Sequence, residues 1–137
     1  MSGRDLRKPY LAMFLLATTM ILIVTTWPWS NFDAVFHWNR VVWFPFGEKQ
    51  LNWLDIILNV ILFIPFGYCF MAFGAKATFK RLLVCILFAA LLSVFVETIQ
   101  GFGLRRFPSS TDVASNVVGA FLGSLAIWWD EQVAKRS

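Results

Sequence analysis

The sequence predicts an all-α integral membrane protein, a four-helix bundle formed by one domain that covers residues 1–137. The composition is 58% hydrophobic and only 15% charged, whereas soluble domains average about 25% charged residues. Seven Trp and fifteen Phe are present, and aromatic residues favour the membrane interface. Four apolar runs each approach the roughly 17–25 residues that a helix needs to cross a bilayer.

The four apolar runs cover residues 10–27, 56–73, 82–100 and 112–129. The first follows a basic stretch, as in a signal peptide, but it ends in Trp27-Pro28-Trp29 rather than in a small-residue cleavage site. We therefore expect an uncleaved first membrane helix. Pro65 and Gly67 fall inside the second run, and we expect them to interrupt that helix.

The distribution of Lys and Arg predicts the orientation of the helices. If all four runs span the membrane, the N-terminal tail, the loop between the second and third runs and the C-terminal tail share one side and carry eight Lys or Arg residues. The other side carries four. The positive-inside rule then places both termini in the cytoplasm. The same rule explains the net charge of +4, so we expect no nucleic-acid partner.

The connection over residues 28–50 is too polar to span the membrane and too aromatic for a free loop. Its apolar residues could line one side of a short helix that lies at the membrane surface. Two interpretations stay open, an ordinary interfacial belt and a lid over a pocket. The residues concerned are Trp29, Phe32, Val35, Phe36 and Trp38.

Polar residues concentrate around the end of the third run and the start of the fourth, where two helices meet. A charge at the centre of a membrane helix costs about 2.5–3.5 kcal/mol, so such a cluster usually has a use. Helical spacing places Glu97 with Gln100, Asp112 with Asn116, and Asp55 with Asn59 on shared faces. We expect three helices to supply one outward-opening pocket, although ion pairing alone would also explain the charges. The candidate binding residues are Asp55, Asn59, Glu97, Gln100, Arg105, Arg106, Asp112 and Asn116.

Two further features of the fourth run concern its structure. Gly119 and Gly123 form a small-residue stripe that allows close helix packing. Ser109, Ser110 or Thr111 can cap the N-terminus of the helix.

The sequence favours neither a metal site nor a cofactor. Cys69 and Cys85 lie within apolar runs, and His37 is the single histidine. These residues give no metal-ligand spacing and no disulfide framework. A Ser–His–carboxylate triad that uses His37 has no supporting spacing either.

One pattern extends over the last three runs and combines polar residues, glycines, a proline and two phenylalanines: Asn59, Phe63, Pro65, Phe66, Gly67, Glu97, Gln100, Arg106, Asp112, Asn116 and Gly119. This pattern resembles the motif of the VanZ-like family of small membrane proteins. The resemblance covers residues 52–129. Many family members carry one more acidic residue between the arginine and the aspartate, where this chain has Phe-Pro-Ser-Ser-Thr.

The resemblance implies a multi-pass protein of the bacterial cytoplasmic membrane. The founding member of the family is associated with resistance to teicoplanin, a lipid-tailed glycopeptide that acts on cell-wall precursors. We therefore expect membrane lipids as partners, and a lipid-linked or lipid-tailed glycan or glycopeptide as ligand in the outer leaflet. Arg105 and Arg106 would hold a phosphate or carboxylate group of that ligand.

Two other functions stay open at this point. In an intramembrane enzyme, Glu97 and Asp112 would be the acid–base pair that acts on a lipid-linked envelope substrate. In a scaffold subunit without a ligand, the glycine stripe would dock a partner membrane protein or a second copy of the chain. Turnover of a lipid-linked substrate separates the enzyme from the other two.

Overall fold

The computed structural model describes residues 7–28, 31–47, 51–74, 76–104 and 107–134. Its four α-helices are each long and apolar enough to cross a membrane. No strand forms among the described residues, so the predicted all-α class with four membrane helices is confirmed. The helices are α1 (Arg7–Thr26), α2 (Trp53–Ala72), α3 (Phe79–Gln100) and α4 (Ser110–Ala134).

Capping residues set the starts of three helices a few positions before the apolar runs. The side chain of Asn52 accepts a hydrogen bond from the first turn of α2, and Thr78 does the same for α3. For α4, the Ser109 hydroxyl oxygen accepts from the Thr111 amide at 3.1 Å. Ser109 is therefore the cap among the three candidates, because its oxygen satisfies an amide that has no partner within the helix.

The expected interruption of the second helix at Pro65 and Gly67 is wrong, because α2 runs without a break from Trp53 to Ala72. Proline removes one backbone hydrogen bond, but membrane helices tolerate this where neighbouring groups satisfy the freed carbonyl. Gly67 has a packing role. A Cβ atom at this position would overlap with the backbone carbonyl of Ala120 in α4.

The four helices alternate in direction. At one end, isolated backbone bridges join Phe32 to Gly103 and Val42 to Ser109. We call this end, which holds residues 31–47, 101–104 and 107–109, the junction end. At the opposite end, the Ala77 amide donates to both carboxylate oxygens of Glu131 at 2.9 Å. The arrangement is that of an antiparallel bundle with one long connection, between α1 and α2.

Helices α2 and α4 make the closest contact in the bundle. Gly119 and Gly123 of α4 face the carbonyl oxygens of Val60 and Ile64, and a Cβ atom on either glycine would overlap with them. Gly67 makes the equivalent approach from α2. These three glycines, which we call the glycine seam, bring the two backbones together as small residues do in other membrane helix pairs.

Helix α1 is packed much more lightly. Ile21 and Thr25 are its two buried residues. Towards its start, Phe14 packs against the aromatic rings of α2, including Phe66 at a centroid distance of 4.9 Å. Most of the α1 surface therefore remains available to lipid.

The connection between α1 and α2 is not a surface helix. Within residues 31–47 the longest helical segment is the 3₁₀ helix Trp38–Arg40, so Phe32, Val35, Phe36 and Trp38 do not share a helical face; Trp29 lies outside the described residues. The segment docks instead through its backbone on the α3–α4 connection. The amides of Asp33, His37 and Val42 donate to the carbonyls of Phe102, Gly101 and Pro108 at 2.8, 2.9 and 2.8 Å.

Candidate functional site

A cavity of about 400 Å³ lies between the helices near the junction end. All four helices contribute to its wall, and we call it the polar cavity. Arg105 and Arg106, two of the eight predicted binding residues, lie outside the described residues. The other six all line the cavity: Asp55, Asn59, Glu97, Gln100, Asp112 and Asn116.

One hydrogen bond across the polar cavity joins α2 to α4. The side-chain amide of Asn59 donates to Asp112 Oδ1 at 2.8 Å. Asp112 lies in the first turn of α4, where the helix dipole stabilises a carboxylate. The pair therefore fixes the orientation of a charged group at the cavity wall.

Glu97 joins the end of α3 to the start of α4. Its side chain is only 8% exposed, and Oε2 accepts a hydrogen bond from the Ser109 backbone amide at 2.8 Å. A carboxylate that accepts from a backbone amide makes one of the stronger hydrogen bonds in proteins. One turn further along α3, Gln100 Nε2 donates to the Thr25 carbonyl at 2.9 Å and links α3 to α1.

Asn116 is the most deeply buried polar residue of the cavity, with 2% of its surface exposed. Its Nδ2 donates to the Ser93 hydroxyl at 2.7 Å. Its Oδ1 has no hydrogen-bond partner among the described residues. An unsatisfied buried acceptor costs about 1–3 kcal/mol. Asn116 lines the polar cavity, so a rotation of its side chain would present this acceptor to a donor of a bound molecule.

From the exposure of its lining residues, we infer that the mouth of the polar cavity lies between α1 and α2. The exposed apolar residues of its lining are Val24 on α1 and Leu58 and Ile61 on α2. Asp55 is also exposed, and its Oδ2 accepts from Asn52 Nδ2 at 2.7 Å. The cavity therefore opens sideways through an apolar rim, next to a polar group at the junction end.

A second cavity, of about 420 Å³, lies on the side of α3 and α4 that faces away from the bundle interior, and no sequence pattern predicted it. Residues 31–47 supply one wall of it, and they supply none of the lining of the polar cavity. The aromatic residues of this segment were the only sequence feature that pointed to such a cavity. The position of the segment depends on backbone contacts between residues far apart in the sequence, which the sequence does not reveal. We call this cavity the apolar groove; its lining includes Phe36, Trp38, Val42, Trp43, Val94, Thr98, Phe102, Pro108 and Val113.

Neither a metal cluster nor a catalytic triad is assembled in the part of the chain that the structure describes. Its His, Cys, Asp and Glu residues form no group of three that could hold a metal ion. His37 lies outside the lining of the polar cavity, with Nε2 3.9 Å from Asp33 Oδ2. A triad that uses His37 with Glu97 or Asp112 is therefore not formed.

These features define a small multi-pass membrane protein with a polar cavity at one end of its helical bundle. The family model described as VanZ/LLP1 matches residues 10–130, and the chain belongs to this family. Protein VanZ of Enterococcus faecium is 33% identical over 125 residues, which cover 88% of this chain and 73% of that protein. No solved structure matches the chain at a significant level.

Proposed function

We propose that the polar cavity binds the polar part of a lipid-linked or lipid-tailed glycan or glycopeptide of the cell envelope. The ligand approaches from the outer leaflet, and its binding contributes to tolerance of glycopeptides such as teicoplanin. The observation that carries the proposal is the unpartnered Oδ1 of Asn116 in a cavity where three helices bring six polar side chains together. Membership of the VanZ/LLP1 family supports the link to the envelope.

The shape of the polar cavity favours a ligand that is already held in the membrane. Its mouth lies between α1 and α2, with Val24, Leu58 and Ile61 on the apolar rim. A molecule with a lipid tail reaches this mouth by moving within the bilayer, and its tail stays among lipid chains while its polar part enters. A fully water-soluble ligand has no such route through the bilayer.

The size and chemistry of the cavity limit what it can hold. Its volume of about 400 Å³ is near the lower end of the roughly 300–1,000 Å³ of small-molecule sites. It therefore suits one sugar ring or a short peptide segment, rather than a whole glycopeptide. The carboxylates of Glu97 and Asp112 and the amide oxygen of Asn116 accept hydrogen bonds from hydroxyl or N–H groups.

The enzyme alternative is supported by one observation, that Glu97 and Asp112 line the same cavity. An acid and a base that act on one bond need this proximity. The test is to incubate purified protein with labelled lipid-linked cell-wall precursor. Consumption of substrate at substoichiometric protein would favour the enzyme, and stoichiometric binding without consumption would favour the binder.

The proposed function is tested most directly at Asn116. Asn116→Leu removes the free acceptor while it approximately keeps the side-chain volume. We expect affinity for labelled lipid-linked precursor or teicoplanin, measured by fluorescence anisotropy in nanodiscs, to fall by about tenfold, because one hydrogen bond contributes about 0.5–1.5 kcal/mol. The melting temperature should change little, because the loss of the hydrogen bond to Ser93 is offset by the removal of an unsatisfied buried oxygen.

The matched control is Val117→Leu, at the neighbouring position of α4 and outside the cavity lining. It should bind as the unmodified protein does. Equal affinity of all three proteins for both ligands would contradict the proposal. Growth of cells that carry each variant under teicoplanin then connects binding to tolerance.

A further inference from the structure

We propose that the apolar groove is a binding site for one alkyl chain of a bilayer phospholipid. The groove has a volume of about 420 Å³ and lies between residues 36–43 on one side and the outer faces of α3 and α4 on the other. This inference does not depend on the proposed function, because it concerns a different cavity with a different ligand.

Three polar side chains around the groove have partners inside the protein. The Thr98 hydroxyl donates to the Val94 carbonyl at 2.7 Å, and the Ser110 hydroxyl donates to the Val42 carbonyl at 3.1 Å. Glu97, at the edge of the groove, has its Oε2 occupied by the Ser109 amide.

An ordered water molecule needs two to four polar partners. The groove offers mainly apolar atoms, so a hydrocarbon is the occupant that its surface favours. The polar cavity differs in this respect, because Asn116 Oδ1 remains without a partner there.

The groove continues the lipid-facing surface of α3. Leu87, Leu91, Val94 and Phe95 are all more than half exposed on this membrane-spanning helix. Val94 belongs both to that surface and to the lining of the groove. A chain that lies along α3 in the bilayer can therefore extend into the groove without leaving an apolar environment.

The outer wall of the groove is fixed in place by the backbone. The Val42 amide donates to the Pro108 carbonyl at 2.8 Å, and the Val42 carbonyl accepts from the Ser110 amide at 3.0 Å. Trp38 and Trp43 lie parallel at a centroid distance of 6.2 Å on this wall. Indole rings favour the membrane interface. The wall thus encloses a chain at the depth where the acyl region meets the head groups.

Photo-crosslinking tests this inference. The protein is reconstituted in vesicles of phosphatidylethanolamine and phosphatidylglycerol that contain a trace of phosphatidylcholine with a diazirine on one acyl chain. After illumination, the labelled peptides are mapped by mass spectrometry. We expect residues 36–43 to be labelled at least threefold more than the open lipid-facing residues 87–91, because a held chain spends longer beside its site.

Two variants fill the groove from different helices, Val113→Trp from α4 and Thr98→Trp from α3. Each should lower the labelling of residues 36–43 at least threefold, because the added ring takes the volume of the chain. Leu91→Trp is the control, since Leu91 is 58% exposed and lies outside the groove lining. This control should leave the labelling of residues 36–43 unchanged.

The inference would be overturned if, in the unmodified protein, residues 36–43 were labelled no more strongly than residues 87–91. This outcome does not depend on whether the variants fold. Strong labelling that persists in folded Val113→Trp and Thr98→Trp would overturn it as well. Anisotropy with labelled precursor, run on the same variants, reports on the polar cavity separately. The two experiments can therefore contradict the lipid site in the groove and the proposed function of the polar cavity independently of each other.

Discussion

Among the described residues, Glu97 connects the two cavities with the start of α4. It lines both the polar cavity and the apolar groove. Its carboxylate accepts from the Ser109 amide where α4 begins. A change in this side chain therefore acts on the helix start as well as on the charge of the cavity.

Two variants distinguish the effect on the helix start from the effect on the charge of the cavity. Glu97→Ala leaves the Ser109 amide without its acceptor in a buried position, and we expect a loss of about 1–3 kcal/mol in the free energy of unfolding. Glu97→Gln keeps a carbonyl oxygen at the same place and should retain most of that stability. Thermal unfolding in detergent measures both. Equal melting temperatures for the two variants would show that the bond to Ser109 contributes little.

Residue spacing predicted which polar groups share a helix face, because that depends only on helical periodicity. The structure places Asp55, Asn59, Glu97, Asp112 and Asn116 around one cavity, and their role in binding remains a prediction. The free acceptor of Asn116 was not predictable. It depends on a hydrogen bond to a serine on another helix, and sequence alone does not define distances between helices.

Among the elements, α2 and α4 form the most closely packed pair. The glycine seam brings the α4 backbone against the carbonyls of Val60 and Ile64, and the Ser124 hydroxyl donates to the Gly67 carbonyl at 3.3 Å. The sequence indicated Gly119 and Gly123 because small residues four apart are typical of membrane helix contacts. The expectation of a helix break at Pro65 was wrong. The rule that proline breaks helices comes from soluble proteins, and it does not account for neighbouring membrane helices that satisfy the freed backbone carbonyl.

The seam predicts a large effect for one substitution. Gly123→Leu places a side chain where the Ile64 carbonyl and the Tyr68 amide lie, so the helices must separate. We expect a destabilisation of at least about 1–3 kcal/mol, the usual cost of overpacking. Thermal unfolding of purified protein in detergent measures it.

Val118→Leu is the control on the same helix, because Val118 is 48% exposed and has room for a larger side chain. A Gly123→Leu protein that melts at the temperature of this control would rule out close packing at the seam.

At the scale of the whole molecule, the antiparallel bundle separates two ends of different character. The junction end contains the α3–α4 connection and the docked segment 31–47. The opposite end contains Ala77 and Glu131. The eight-to-four distribution of Lys and Arg predicts that the junction end faces outward and that both termini are cytoplasmic.

Cysteine labelling tests this orientation. In a background without Cys69 and Cys85, both of which are buried, single cysteines replace exposed Asn39 at the junction end and exposed Lys76 at the other. An impermeant maleimide added to intact cells should label Asn39→Cys and spare Lys76→Cys. Labelling of Lys76→Cys alone would reverse the orientation and place the polar cavity near the cytoplasmic surface.

Much of the overall fold was predictable, because an apolar run long enough to cross a bilayer has few structural alternatives. The helix starts differed by a few residues where Asn52 and Thr78 cap them. The apolar groove was not predictable. It depends on the Val42 region reaching the Pro108 region through backbone hydrogen bonds, and such contacts leave no periodic pattern in the sequence.

The light packing of α1 has a consequence for how a ligand enters. The seam holds α2 against α4, and Glu97 joins α3 to α4, whereas α1 buries only Ile21 and Thr25. The polar cavity therefore widens most readily by a sideways displacement of α1. A helix keeps its own backbone hydrogen bonds during such a movement, so no peptide group is exposed to hydrocarbon. For the proposed ligand, entry would be governed by this collective helix motion, on the microsecond to millisecond timescale. The largest head group that the cavity admits would then be set by how far α1 can move.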